Sequence, residues 1–167
     1  MAELLRTHPL SSRADALAAA GISVEPYVAM VNVRADAGHP SEPNTWVEVN
    51  GGREIWRGPD EWLLTNPAED PGDYEARIRA EVEPRGGVVT DVSAQRITLR
   101  LTGAQARETL SHGCAIDLHP RVFTHGQCVQ TRVAQAVVVL LRDRDDYVLL
   151  VRSSFAGYLA DWLLDAV

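Results

Sequence analysis

Six residues capable of metal ligation or nucleophilic chemistry crowd into one stretch of this 167-residue chain: His112, Cys114, Asp117, His119, His125 and Cys128. A structural zinc site needs four such side chains converging tetrahedrally, commonly from C-x-x-C or H-x-x-x-H pairs. The pairs here are His112-x-Cys114 and His125-x-x-Cys128, which match neither pattern. The stretch reads as a structural loop in which Cys114 and Cys128 act as small buried apolar side chains. A metal-binding or redox module is the competing reading. Two cysteines do not make a disulfide framework.

A second polar group, Asp91, Ser93 and Arg96, surrounds the start of a strand. It would serve a catalytic carboxylate, or a turn whose Asp and Ser side chains bond backbone amides, and the turn is the better reading. A third group lies in an early meander, where Trp46, Trp56 and Trp62 accompany Arg53 and Arg57. Core packing accounts for tryptophans in general, but Trp and Arg also anchor interfaces. Arg53, Trp56, Arg57 and Trp62 therefore stand as candidate subunit-interface residues.

Composition removes several classes of function. All 16 basic residues are Arg, so there is no lysine for a Walker A loop or a Schiff base. The net charge of −7 argues against a nucleic-acid partner, which needs a basic face. No G-x-G-x-x-G follows a strand and no G-x-S-x-G is present. Gly51-Gly52 and Gly86-Gly87 read as turns. The longest apolar run, about residues 133–141, is far short of the ~20 residues of a membrane span. Residues 1–10, with Glu3, Arg6 and His8, lack an apolar signal core. A soluble cytoplasmic chain is expected, with no membrane partner and no catalytic, cofactor-binding or metal-binding residue of its own.

The elements that would position these groups are legible as periodicities. Residues 11–20 read as a helix ended by Gly21, and 27–33 as a strand. Residues 35–44, with a glycine and two prolines, read as a loop. Strands at 46–49 and 53–57 flank the hairpin dipeptide Asn50-Gly51, and a turn at 58–60 returns the chain as 61–65. Residues 71–82 form a helix with Tyr74, Ile78 and Val82 on its apolar stripe. A strand starts at 88. In 95–101, Ile97, Leu99 and Leu101 alternate with Arg96, Thr98 and Arg100, which predicts one buried and one solvated face. Thr102 and Gln105 have capping-box spacing ahead of a helix ending near His112. Strands are expected at 128–133, 136–142 and 147–152, the last two forming a hairpin. Ser153 or Ser154 should cap a final helix that buries Phe155, Leu159, Trp162, Leu163 and Ala166.

Residues 54–82 and 138–166 both read hairpin, then helix. The fold class expected is α+β, with two αβ-plait-like lobes, each an antiparallel sheet covered on one face by helices. The chain is read as one domain, 1–167, with lobes at 1–85 and 86–167.

Four strings, in order, carry a specific resemblance. They are the segment 58–64 (GPDEWLL), the segment 91–96 (DVSAQR), the stretch from Gly113-Cys114 through 117–120 and Phe123 to 126–128, and the tail from 151–155 to 161–163. Together they resemble the gamma subunit family of heterotetrameric sarcosine oxidase from about residue 55 onward. The stretch from Leu101-Thr102-Gly103 is more distantly similar to the folate-binding domain of the glycine-cleavage T-protein, a likeness of fold. The resemblance implies an accessory chain assembled with alpha, beta and delta subunits. That complex oxidises sarcosine to glycine, yielding hydrogen peroxide and formaldehyde or 5,10-methylene-tetrahydrofolate. FAD, FMN, NAD, zinc and tetrahydrofolate would sit in the other subunits. A stand-alone T-protein-like folate binder and a generic adaptor are the alternatives.

Overall fold

The computed structural model of the chain describes residues 8–36 and 42–167. Most of the segment 1–10 and the middle of the 35–44 loop therefore lie outside the described residues. A short 3-10 turn (Ser11–Arg13) leads into α1 (Ala14–Ala19), and Gly21 closes it at φ 73°. Strands β1 (Ile22–Val24), β2 (Ala29–Arg34), β3 (Trp46–Val49), β4 (Gly52–Gly58) and β5 (Glu61–Asn66) follow. Next come α2 (Pro71–Val82), β6 (Val88–Asp91), β7 (Arg96–Leu101) and α3 (Ala106–Ser111). The chain ends with β8 (Cys128–Val133), β9 (Ala136–Asp143), β10 (Asp146–Arg152) and α4 (Ser153–Asp165).

The strands make two antiparallel five-stranded sheets, ordered β1-β7-β10-β9-β8 and β3-β4-β5-β2-β6. Read from the meander end, each sheet runs through three consecutive strands, then an earlier strand, then an edge strand. Each edge strand comes from the other half of the chain: β1 precedes the second sheet's strands and β6 follows them. The sheet boundary thus does not coincide with residue 85/86.

Three cores separate four layers. The first sheet buries Leu99, Leu140, Tyr147 and Leu149 under α1, α3 and α4, together with Leu17, Leu110, Leu159 and Leu163. The second buries Val31, Val33, Trp62 and Leu64 under Tyr74, Ile78 and Val82 of α2. Between the sheets lie Met30, Trp46, Ile55, Leu63, Cys128, Val139, Leu141, Val148 and Leu150. Central strands buried on both faces lose their alternation, as the run of buried residues from 147 to 151 shows.

This arrangement corrects four expectations. The polar face of β7 is not solvated: Arg96 and Thr98 are 8% and 4% exposed, because that face turns toward the second sheet. The capping box does not form. Thr102 donates its hydroxyl to Gly21 O (3.2 Å), and α3 starts after Gln105 without a side-chain cap. Neither Ser153 nor Ser154 caps α4. Arg152 is its N-cap residue, and Ser153 Oγ donates to Ala94 O (2.6 Å). The buried stripe of α4 includes Ala156 and Ala160 beside Leu159 and Leu163, while Phe155 is 43% exposed. Small residues let the helix lie close to the sheet, which rotates the contact by one position.

Candidate functional site

The loop rich in histidine and cysteine uses its polar atoms internally. His119 Nδ1 accepts from the Arg121 amide (3.2 Å), and the His119 amide donates to Asp117 Oδ1 (2.8 Å). His125 Nδ1 accepts from the Arg144 amide (3.0 Å), which supports a hairpin turn in which Arg144 has φ 54°. Its ring meets Trp46 edge-on at 5.6 Å. Cys128 is 2% exposed and donates its thiol to Thr45 O (3.2 Å), and burial pushes that thiol up to about 12. Cys114 is also buried. An open recess of about 530 Å³ is lined by Arg107, Ser111, Cys114, Asp117 and His119 among others. Among the described residues, no three His, Cys, Asp or Glu side chains converge as a metal site would require.

The group at Asp91 is a turn. Asp91 Oδ1 accepts from the amide (2.9 Å) and hydroxyl of Ser93, and Ser93 Oγ in turn accepts from the Met30 amide (2.8 Å). Such side-chain bonds to nearby backbone fix an irregular segment between strands. Arg96 takes no part in it.

The four candidate interface residues part company. Trp62 is 3% exposed in the core under α2. Arg53 makes a bidentate ion pair with Glu25 (2.9 and 2.9 Å). Glu25 also accepts from Arg100 (3.1 Å), which further holds Asp146 (2.9 Å) and Asp143 (2.8 Å). That network of two arginines and three carboxylates seals one rim of the space between the sheets. Trp56 packs half-buried against both the inter-sheet and α2-side cores.

Arg57 lies at the other rim. The β4–β5 register shifts between Trp56 and Gly58, so Arg57 is the extra residue of a β-bulge. Bulges re-aim side chains, and Arg57 Nε donates to Gln130 Oε1 (3.1 Å) while Gln130 Nε2 donates back to Arg57 O (2.8 Å). Burial lowers the affinity of its guanidinium for the proton, and Arg152 adds to that, against Glu61. Arg96 and Arg152 occupy opposed positions on β7 and β10 and complete the rim. The sequence reading missed this grouping. Positions 57, 96, 130 and 152 have no spacing that links them, and only the pairing of two sheets brings them together.

The model of the family described as sarcosine oxidase, gamma subunit, matches residues 26–167. The match begins well before residue 55, where the recognisable strings start. A sarcosine oxidase subunit gamma from Corynebacterium sp. (strain P-1) is 35% identical over 120 residues, covering 71% of this chain and 58% of its own length. The alignment thus spans less than two thirds of that relative. A sarcosine oxidase subunit gamma from Arthrobacter sp. is 32% identical across 98% of this chain and 90% of its own length. Among solved structures, a chain of the heterotetrameric sarcosine oxidase from Corynebacterium sp. U-96 superposes with a TM-score of 0.88 at 28% identity. That superposition covers 97% of this chain and 94% of the other. The α+β architecture of two antiparallel sheets is therefore shared over nearly the full length, and the chain belongs to the sarcosine oxidase gamma subunit family.

Proposed function

We propose that this chain is an accessory subunit of a heterotetrameric sarcosine oxidase, assembled with alpha, beta and delta subunits. The assembly oxidatively demethylates sarcosine to glycine. Two electrons from the substrate pass through flavin to oxygen, giving hydrogen peroxide, and the one-carbon unit leaves as formaldehyde or on tetrahydrofolate. The flavins, NAD, zinc and the folate site belong to the partner subunits, and this chain helps fix the geometry of the folate-handling one. The observation that carries the reading is the near-complete structural match to a chain of such a heterotetramer. The internal use of the polar groups supports the accessory role. Asp91, Ser93, His119 and His125 are engaged in turns. Gly51 and Gly86, each with positive φ, close a hairpin and a helix end, and the Gly86 amide donates to Glu83 O. Trp56 and Arg57 remain the candidate interface residues.

The test is purification of the tagged chain from its host, with a visible spectrum and a sarcosine-dependent peroxide assay. The reading expects a yellow assembly containing larger subunits and peroxide formation on sarcosine. Deleting this chain should lower the stability of that assembly or its coupling to tetrahydrofolate. A colourless, partner-free chain, or a deletion that changes neither property, would overturn it.

A further inference from the structure

On one strand and one face of it, two arginines have opposite circumstances. Arg100 is held by three carboxylates. Arg96, four residues earlier on β7, is 8% exposed, its buried Nε has no hydrogen-bond partner, and it makes no ion pair among the described residues. Directly across the β7–β10 ladder stands Arg152, and opposed like charges destabilise a sheet. Arg57 approaches from the bulge of the other sheet. Burial, then Arg57 and Arg152, push the Arg96 guanidinium down to about 10.

Among the described residues, the one carboxylate that offsets them is Glu61, and it is already engaged. It accepts from Arg34 (3.0 Å) and, with the Asn32 amide turned so that its nitrogen faces it, from Asn32 (3.0 Å). Arg152 also opens α4 as its N-cap residue, where the helix has no side-chain cap and no acidic residue in its first turn. Partial positive charge at that helix end adds to the same field. A buried guanidinium without an anion is costly, and this one sits in a chain of net charge −7. Solubility or average charge does not account for it.

We propose that the cluster of Arg57, Arg96 and Arg152 at this rim is a carboxylate-binding site, occupied by an acidic side chain of a partner subunit on assembly. The planar guanidinium groups present paired N–H donors suited to a carboxylate, and the bulge that aims Arg57 adds the third of them from the second sheet. The inference rests on the assembly reading above.

The experiment co-expresses the chain with its partner subunits and compares wild type with R152E, R96M and, as a charge-matched control at the other end of the first sheet, R121E. Retention in the assembly is measured by size exclusion at low and high salt, and the isolated chains are melted in parallel. R152E should weaken retention at least about tenfold, while R121E does not. R96M should also weaken retention, yet raise the Tm of the isolated chain by about 3 °C, because it removes an unpaired buried charge while keeping an apolar stem. A purely structural arginine would give the opposite melt. If wild type, R152E and R96M are retained equally, the arginine cluster is not the docking point, although the assembly reading stands. Equal loss with R121E, or a fall in Tm for R96M, overturns the inference as well. If wild type itself finds no partner, the assembly reading fails first and this one falls with it.

Discussion

Arg100→Met removes the centre of the ion-pair network and leaves most of the side-chain volume in place. The guanidinium donates to Glu25 Oε1 at 3.1 Å, Asp143 Oδ2 at 2.8 Å and Asp146 Oδ2 at 2.9 Å. The four side chains are 17–29% exposed, so solvent screens them only in part. Asp143 and Asp146 face each other across the β9–β10 ladder, and without Arg100 they are opposed like charges. Three partly buried charge-assisted bonds lost together, with repulsion left behind, should cost about 3 kcal/mol. For a chain of this length that lowers Tm by roughly 6–12 °C.

The pH dependence gives a second readout. Burial alone would raise the Glu25 carboxyl, but Arg53 and Arg100 outweigh it and hold it below its ordinary range. A carboxylate whose folded pKa is depressed stabilises the fold above its unfolded pKa, and that contribution is lost as pH falls through the folded value. The gap between wild type and variant should therefore be full at about pH 7 and shrink as the carboxyls protonate below about pH 4. Urea unfolding at both pH values measures it. Arg77→Met, at an exposed α2 arginine that pairs with Glu69 ahead of the helix and Glu81 on it, should leave the midpoint almost unchanged. A cost below about 1 kcal/mol for Arg100→Met, or a gap that persists undiminished in acid, would refute the network's role.

Two further outcomes follow from packing. Gly52→Ala places a Cβ 1.8 Å from Thr65 O, a backbone atom that cannot yield without moving β5. A loss of about 3 kcal/mol by denaturant titration is expected, and near-wild-type stability would contradict the geometry. Cys128, 2% exposed with its thiol pushed up to about 12, should resist alkylation in the native chain and react on unfolding; stoichiometric native labelling would rule that out.

Where local chemistry decides the structure, the sequence was readable. The Asn50-Gly51 dipeptide forms its turn with φ of 51° and 76°, and α2 spans Pro71–Val82 with Tyr74, Ile78 and Val82 buried. Strand β1 escaped notice because three residues have no period of their own and exist as a strand through pairing with β7. Thr102 and Ser153 have capping chemistry, but a tertiary partner competes for each hydroxyl: Gly21 O for one, Ala94 O for the other. The polar face of β7 was the instructive error. Alternation separates two faces without saying what lies opposite either of them. The partners of Arg100 are Glu25, Asp143 and Asp146, which are remote in sequence and meet it when β7 pairs between β1 and β10 in the first sheet. The candidate site was illegible for the same reason. Arg57 reads as an interface residue and Arg96 as part of a separate polar group with Asp91 and Ser93, whereas in the fold Arg96, Gln130 and Arg152 join Arg57 through a bulge and two ladders.

The shared strand order of the two sheets bears on how a partner could act through this chain. Each sheet borrows its edge strand from the other half, and β1 and β6 lie against β7 and β2, the strands that continue from the three-stranded meanders. The meanders are stitched as well. The Trp46 amide donates to Gly126 O (2.8 Å), the Cys128 amide to Asn44 O (2.8 Å), and Trp46 Nε1 to Arg142 O (3.1 Å). A load placed on either sheet is therefore carried into the other by backbone bonds and by the apolar layer between them. The two ionic rims sit where those sheets meet. In one, both arginines are paired within the chain, so it holds the sheets together unaided. The other has three arginines around one engaged carboxylate, and it is the place where a carboxylate from outside would add what the chain's own sequence leaves out.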